Sequence, residues 1–249
     1  MSVNSQTKAY QIVRNYVALM FEPLWVMTAF TVTALLFSIL IINVPSAEQL
    51  LGTTMGQLFS SGALYVIALA IVVVPLVLLR GKDYVKRILG IHKLPTRSIL
   101  WLPFVLWLAY MVVTIIVAAV TSNLPFVDSD QVQDVGFTDI SVLYEYILVF
   151  IALVILPPVA EELLFRGYLF GRIRERFGFW LTTIVVSVVF GIVHMQWNVG
   201  IDVAVLSIFL CYLREKTGTI WASMVLHAIK NGVAYVLLFI APLFGYSVL

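Results

Sequence analysis

The chain has 249 residues, of which 62% are apolar and only 11% charged, and its mean hydropathy is +1.04. A soluble domain of this length has too little interior to hide so much apolar surface, so the composition excludes one and points to a polytopic membrane protein. The formal charge of +2, carried by basic residues in short loops rather than in a tail, excludes a nucleic-acid partner.

Windows of about 20 residues, the length that crosses roughly 30 Å of hydrocarbon, predict seven spans. They lie near 22–44, 62–79, 98–120, 142–160, 179–196, 199–213 and 219–242. The first is span-length and lacks a convincing cleavage site, so it reads as a retained helix and not as a removed signal. The turn "MQWNVG" after the fifth span is short and the sixth segment falls short of a full crossing, so an eighth span in that region is the alternative.

Loop charge gives the orientation, since Lys and Arg are retained on the cytoplasmic side. Lys8 and Arg14 precede the first span; Arg80, Lys82, Lys86, Arg87, Lys93 and Arg97 follow the second. Arg166, Arg172, Arg174 and Arg176 follow the fourth, and Arg214 and Lys216 the sixth, so 14 of the 15 basic residues share one side. The segment 121–141 carries Asp128, Asp130, Asp134 and Asp139 but no Lys or Arg. The expectation is an all-α transmembrane bundle in a cell membrane with a cytoplasmic N-terminus. Residues 1–141 form its first region of three spans, and 142–249 hold the concentration of polar groups. Cys211 is the single cysteine and can form no disulfide within the chain.

Ionisable side chains at membrane depth cost a few kcal/mol or more and mark candidate sites. Glu161 and Glu162 stand at the cytoplasmic end of the fourth span, His194 in the fifth, and His227 with Asn231 in the seventh. Residues four apart share a helix face, which pairs Glu162 with Arg166, Phe190 with His194, and His227 with Asn231. The Glu-first order lets Arg166 neutralise Glu162, which leaves Glu161 unpaired. Bland readings exist for each group: "PPVAEE" also suits an ordinary helix start, and a histidine or asparagine in a span also serves packing. Lys230 is expected to turn away from the His227 face. Arg172, Arg174, Glu175 and Arg176 are expected on a solvated or headgroup-bound surface. Pro157 and Pro158 free backbone carbonyls and are expected to loosen the fourth span, admitting water from the cytoplasmic side.

In chain order "EELLFR", "FGIVH" and "HAIKN" resemble the Glu-Glu-x-x-x-Arg, Phe-x-x-x-His and His-x-x-x-Asn motifs of the CAAX protease and bacteriocin-processing family of intramembrane endopeptidases. The likeness covers roughly 142–235. It implies that Glu161 is the base activating water, His194 its assistant, His227 and Asn231 the oxyanion donors, and Glu162 with Arg166 a structural ion pair. It implies no cofactor, a peptide or membrane-protein substrate cleaved near the cytoplasmic face, and the lipid bilayer as surroundings. Well-described relatives have eight spans where seven are counted here. A zinc-dependent version of the same protease is the alternative, since two histidines and a glutamate suit a three-ligand site; the lack of a His-Glu-x-x-His pattern argues against it. A non-catalytic membrane partner, a bacteriocin-immunity protein or a small transporter would use the same polar groups for binding.

Overall fold

The computed structural model describes residues 3–94, 101–125, 127, 135–137 and 140–246, and every regular element among them is helical. Arg97, Asp128, Asp130, Asp134 and Asp139, and the first residues of the third expected span, lie outside the described residues.

Helix α1 runs from Val3 to Asn43, α2 from Pro45 to Leu51, α3 from Thr54 to Arg80, α4 from Lys82 to Leu89 and α5 from Leu102 to Thr121. A continuous central helix then spans 143–174. It consists of α6 (Leu143–Phe150), a π-helical segment Ile151–Ile155, α7 (Leu156–Glu161), a second π segment Glu162–Leu169, and α8 (Phe170–Arg174). Helix α9 is Phe179–Ile192, α10 is Trp197–Thr217, and α11 is Trp221–Tyr235, continued as π and 3-10 turns to Phe244.

Six of these stretches are long and apolar enough to cross a membrane: Tyr10–Asn43, Thr54–Arg80, Leu102–Thr121, Leu143–Arg174, Trp197–Thr217 and Trp221–Phe244. The seventh expected span is α9, whose 14 residues rise only about 21 Å. The shortfall therefore falls on the fifth segment and not on the sixth, which reaches 21 residues. Only a turn separates them, so no further crossing is hidden there. The fourth helix does not end at 160 but continues through the basic segment to Arg174. Large apolar side chains such as Leu78 and Leu79, each 80% exposed, cover the outside of α3, a surface that hydrocarbon covers at no cost.

One core joins both halves of the chain. Val26 and Ala29 of α1 and Ala68 and Val72 of α3 pack with Leu164, Phe165, Val186 and Phe190, all buried. Helices α9 and α10 meet through small residues: a Cβ added at Gly191 would stand 2.7 Å from the Gly200 carbonyl oxygen, and one at Gly200 2.8 Å from that of Gly191. Ser187 and Ser207 bond across the same seam at 2.9 Å. Such contacts replace the hydrophobic drive that is missing between helices in lipid.

Helix α4 is amphipathic and seals one end of the bundle. Val85, Ile88 and Leu89 are buried while Lys82, Lys86 and Arg87 face outward. Gly90, at φ 70°, ends it in the left-handed conformation, with bonds from Gly90 N to Arg87 O and from Ile91 N to Lys86 O. The orphan Ile88 carbonyl is met by Arg214, which donates to it at 3.1 Å and also to Arg166 O of the central helix at 3.1 Å. Helix α4 sits so close to the central helix that a Cβ at Gly171 would stand 2.6 Å from the Ile88 carbonyl oxygen. Gly171→Ala is therefore expected to cost about 1–3 kcal/mol by overpacking, read as a lower unfolding midpoint in detergent. Gly178→Ala, where a Cβ meets nothing within 4 Å, should leave the midpoint in place.

Candidate active site

The site begins with two missing donors. Pro157 and Pro158 have no N–H, so the Leu153 carbonyl finds no partner four residues on and none five residues on. The backbone widens into the π segment Ile151–Ile155 just at this break. The stranded oxygen is taken by another helix: Asn231 Nδ2 of α11 donates to Leu153 O at 2.9 Å. Asn231 thus fastens α11 to the break and keeps a second amide hydrogen for other use.

One turn later come the two glutamates. Glu162 and Arg166, on the second π segment, are both fully buried and paired at 3.0 Å, as the spacing predicts. His227 of α11 brings Nδ1 to the same Glu162 oxygen, also at 3.0 Å. A buried carboxylate bonded to a guanidinium and an imidazole is far cheaper than an isolated one.

Phe190 of α9 joins these groups to the remaining histidine. The Arg166 guanidinium carbon lies 4.3 Å from the centre of its ring, a cation–π contact. The ring meets His194 edge-on at 5.0 Å and His227 at 6.0 Å. Its carbonyl oxygen accepts from His194 Nδ1 at 2.7 Å, which leaves Nε2 of the neutral ring as an acceptor. Met195 follows at φ 56°, left-handed backbone that turns the chain sharply between α9 and α10 beside His194.

Glu161 is 9% exposed and is held from an unexpected direction. Tyr65 of α3 donates its hydroxyl to Glu161 Oε1 at 2.7 Å, and His227 Nε2 stands 3.8 Å from Oε2. Tyr65 thus supplies a hydrogen bond to Glu161, while the His194 Nδ1 proton is committed to the Phe190 carbonyl. A tyrosine in an apolar span, 96 positions before its partner, carries no sequence signal.

Glu161, His194, His227 and Asn231 all line one cavity of about 290 Å³, together with Tyr65. That is just below the roughly 300–1,000 Å³ common for ligand pockets. Lys230 lines it too and does not turn away. Its Nζ lies 3.8 Å from Asp202, which also accepts from Tyr110 at 2.6 Å and from Thr114. Asp202 within the sixth span is a polar group the motif reading passes over.

At the basic end one charge departs from expectation. Arg172 turns inward to Glu22 of α1 at 2.8 Å, and Tyr168 donates to the other oxygen of the same buried carboxylate. The first span thus neutralises a cation of the central helix. Arg174 stays at the surface, paired with Glu215 at 2.8 Å, as expected of that face.

Residues 143–233 match the family model described as Rce1-like, type II CAAX prenyl endopeptidase. Over 77 residues the chain is 30% identical to YdiL of Bacillus subtilis (strain 168), a protein named for an inferred membrane-peptidase activity. The matched stretch is 31% of this chain and 32% of that relative, so the likeness spans about a third of each. No solved structure matches. The matched segment holds all three motifs, and over that segment these findings support the resemblance to the CAAX protease and bacteriocin-processing family.

Proposed function

We propose that the chain is an intramembrane endopeptidase that hydrolyses peptide bonds of a peptide or membrane-associated protein, with Glu161 as general base. The observation that carries this reading is convergence: three separated motifs bring Glu161, His194, His227 and Asn231 to one cavity. Amide hydrolysis needs an activated water, donors for the tetrahedral oxyanion and a proton for the leaving amine.

Glu161 takes a proton from water, and the oxygen attacks the carbonyl carbon. The bare Nε2 of His194 accepts the second water hydrogen and so fixes the direction of attack. The oxyanion takes one bond from the spare amide hydrogen of Asn231 and one from His227 Nε2. For His227 to donate there while Nδ1 donates to Glu162, its ring must carry both protons, and Glu162 is the counter-charge for that state. Collapse breaks the C–N bond, and the proton on Glu161 passes to the departing amine. Glu162, Arg166 and Phe190 set positions and touch no substrate.

The mechanism is proposed without a cofactor, and the test is direct. The protein purified in detergent is incubated with a peptide library, with and without a strong chelator, and products are read by mass spectrometry. Cleavage that survives the chelator supports the proposal; cleavage abolished by it and restored by zinc assigns the zinc version; no cleavage of any peptide favours a binding protein.

Tyr65→Phe tests how Glu161 is held. Loss of a hydrogen bond to a charged group, about 1.5–3 kcal/mol, is expected to lower kcat/KM by roughly ten-fold to a hundred-fold while the unfolding midpoint changes little. An unchanged kcat/KM would remove Tyr65 from the account.

A further inference from the structure

The cavity has a direction. On the central helix its lining residues are Glu161, Pro157 and Leu153, which step away from the Arg174 end one turn at a time. On α11 the stripe runs from His227 through Asn231 and Ala234 to Leu238, away from the Trp221 end. Neither helix gives the cavity a residue on the other side of Glu161 or His227. The top is reached by Val135, from the segment that carries no Lys or Arg.

Beneath the glutamates the bundle is closed. Arg166, Phe165, Phe190 and Leu226 are 0–1% exposed, and α4 is pressed onto Gly167 and Gly171 below them. Trp221 donates to Lys93 O and Ile220 N to Gly90 O, which stitches the start of α11 to the segment after α4. Water or peptide reaching Glu161 from that end would have to displace a packed core and the buried Arg214 bonds.

The closed end is also the basic end. Arg80, Lys82, Lys86, Arg87, Arg174, Arg176 and Lys216 flank it, and retention of such residues on the cytoplasmic side places this end inside the cell. We infer that the cleavage chamber is loaded from the opposite, non-cytoplasmic side of the membrane, by an extended and mostly apolar segment of an exported or membrane-inserted polypeptide. This rests on the endopeptidase reading for what happens in the chamber, and it replaces the expectation of a site served from the cytoplasm. The apolar lining at Leu153, Pro157, Val203, Ala234 and Leu238 fits apolar side chains on either side of the scissile bond. The proline break, expected to admit water from the cytoplasmic side, lies instead on the cavity side of the glutamates, away from the closed basic end, since Pro157 lines the cavity.

The single cysteine makes a clean test available, because Cys211 is fully buried. In a Cys211→Ala background, Leu238→Cys and, separately, Ala234→Cys report on the cavity, and Lys216→Cys, at an exposed position, reports on the basic end. Each is exposed to a membrane-impermeant maleimide in right-side-out and in inverted membrane vesicles. The expected result is at least ten-fold faster labelling of the two cavity cysteines in right-side-out vesicles, and the reverse preference for Lys216→Cys. Cavity cysteines that label from the same side as Lys216→Cys overturn the inference, as does labelling of Lys216→Cys from outside. Labelling of neither cavity cysteine from either side overturns it too, by showing a chamber without this entrance. None of these readouts depends on turnover, so a protein labelled as expected but inactive on every peptide would count against the endopeptidase reading alone.

Discussion

Glu161→Gln is expected to lower kcat/KM for peptide cleavage by about 10²–10⁴, the range a positioned general base contributes. The substitution is nearly isosteric, and the amide oxygen still accepts from Tyr65, so the packing around residue 161 is retained. What is lost is the ability to hold the water proton. The unfolding midpoint in detergent should therefore move little, which separates a chemical defect from a folding defect. Glu162→Gln makes the informative contrast. It removes the carboxylate that joins Arg166 to His227, so it should lower the unfolding midpoint as well as turnover, whereas Glu161→Gln lowers turnover alone. Turnover within a few-fold of wild type in Glu161→Gln would end the case for this residue as the base.

Arg166→Met is expected to be the most destabilising single change in the site. Glu162 is fully buried and would be left with His227 as its charged partner, and breaking a buried ion pair from one side costs about 3–5 kcal/mol. The Phe190 ring would also lose the cation stacked on it. Combining Arg166→Met with Glu162→Gln should be milder than the sum of the two, because no uncompensated charge then remains in the interior. Unfolding midpoints of the three variants, with activity measured on whatever folds, check this. A loss below about 1 kcal/mol for Arg166→Met would mean that water reaches the pair and that the site is wetter than its burial indicates.

The sequence reveals best what is local and periodic. Glu162 and Arg166 meet because they are one turn apart, and the helices that carry the motifs are legible as apolar runs between charged turns. Asn231 reaching a carbonyl stranded by Pro157 and Pro158 follows half from sequence, since the break was legible but its partner was not. Tyr65, Glu22 and Asp202 were illegible for a common reason. Each belongs to a helix distant in the chain from its partner, and a tyrosine or a lone acid in an apolar run has many ordinary explanations. The direction of the cavity was equally hidden. A motif gives the residues and their spacing along a helix, but which end is plugged depends on how α4 folds back against Gly167 and Gly171.

Phe190 has a consequence for how the protein tolerates change. Its ring and carbonyl oxygen touch Arg166, His194 and His227 at once. Altering the size of that one side chain shifts scaffold and chemistry together, so the position offers no route to a sturdier protein that leaves the reaction undisturbed. Replacements at 166, 194 and 227 are linked through it in the same way, and their effects are epistatic rather than separable.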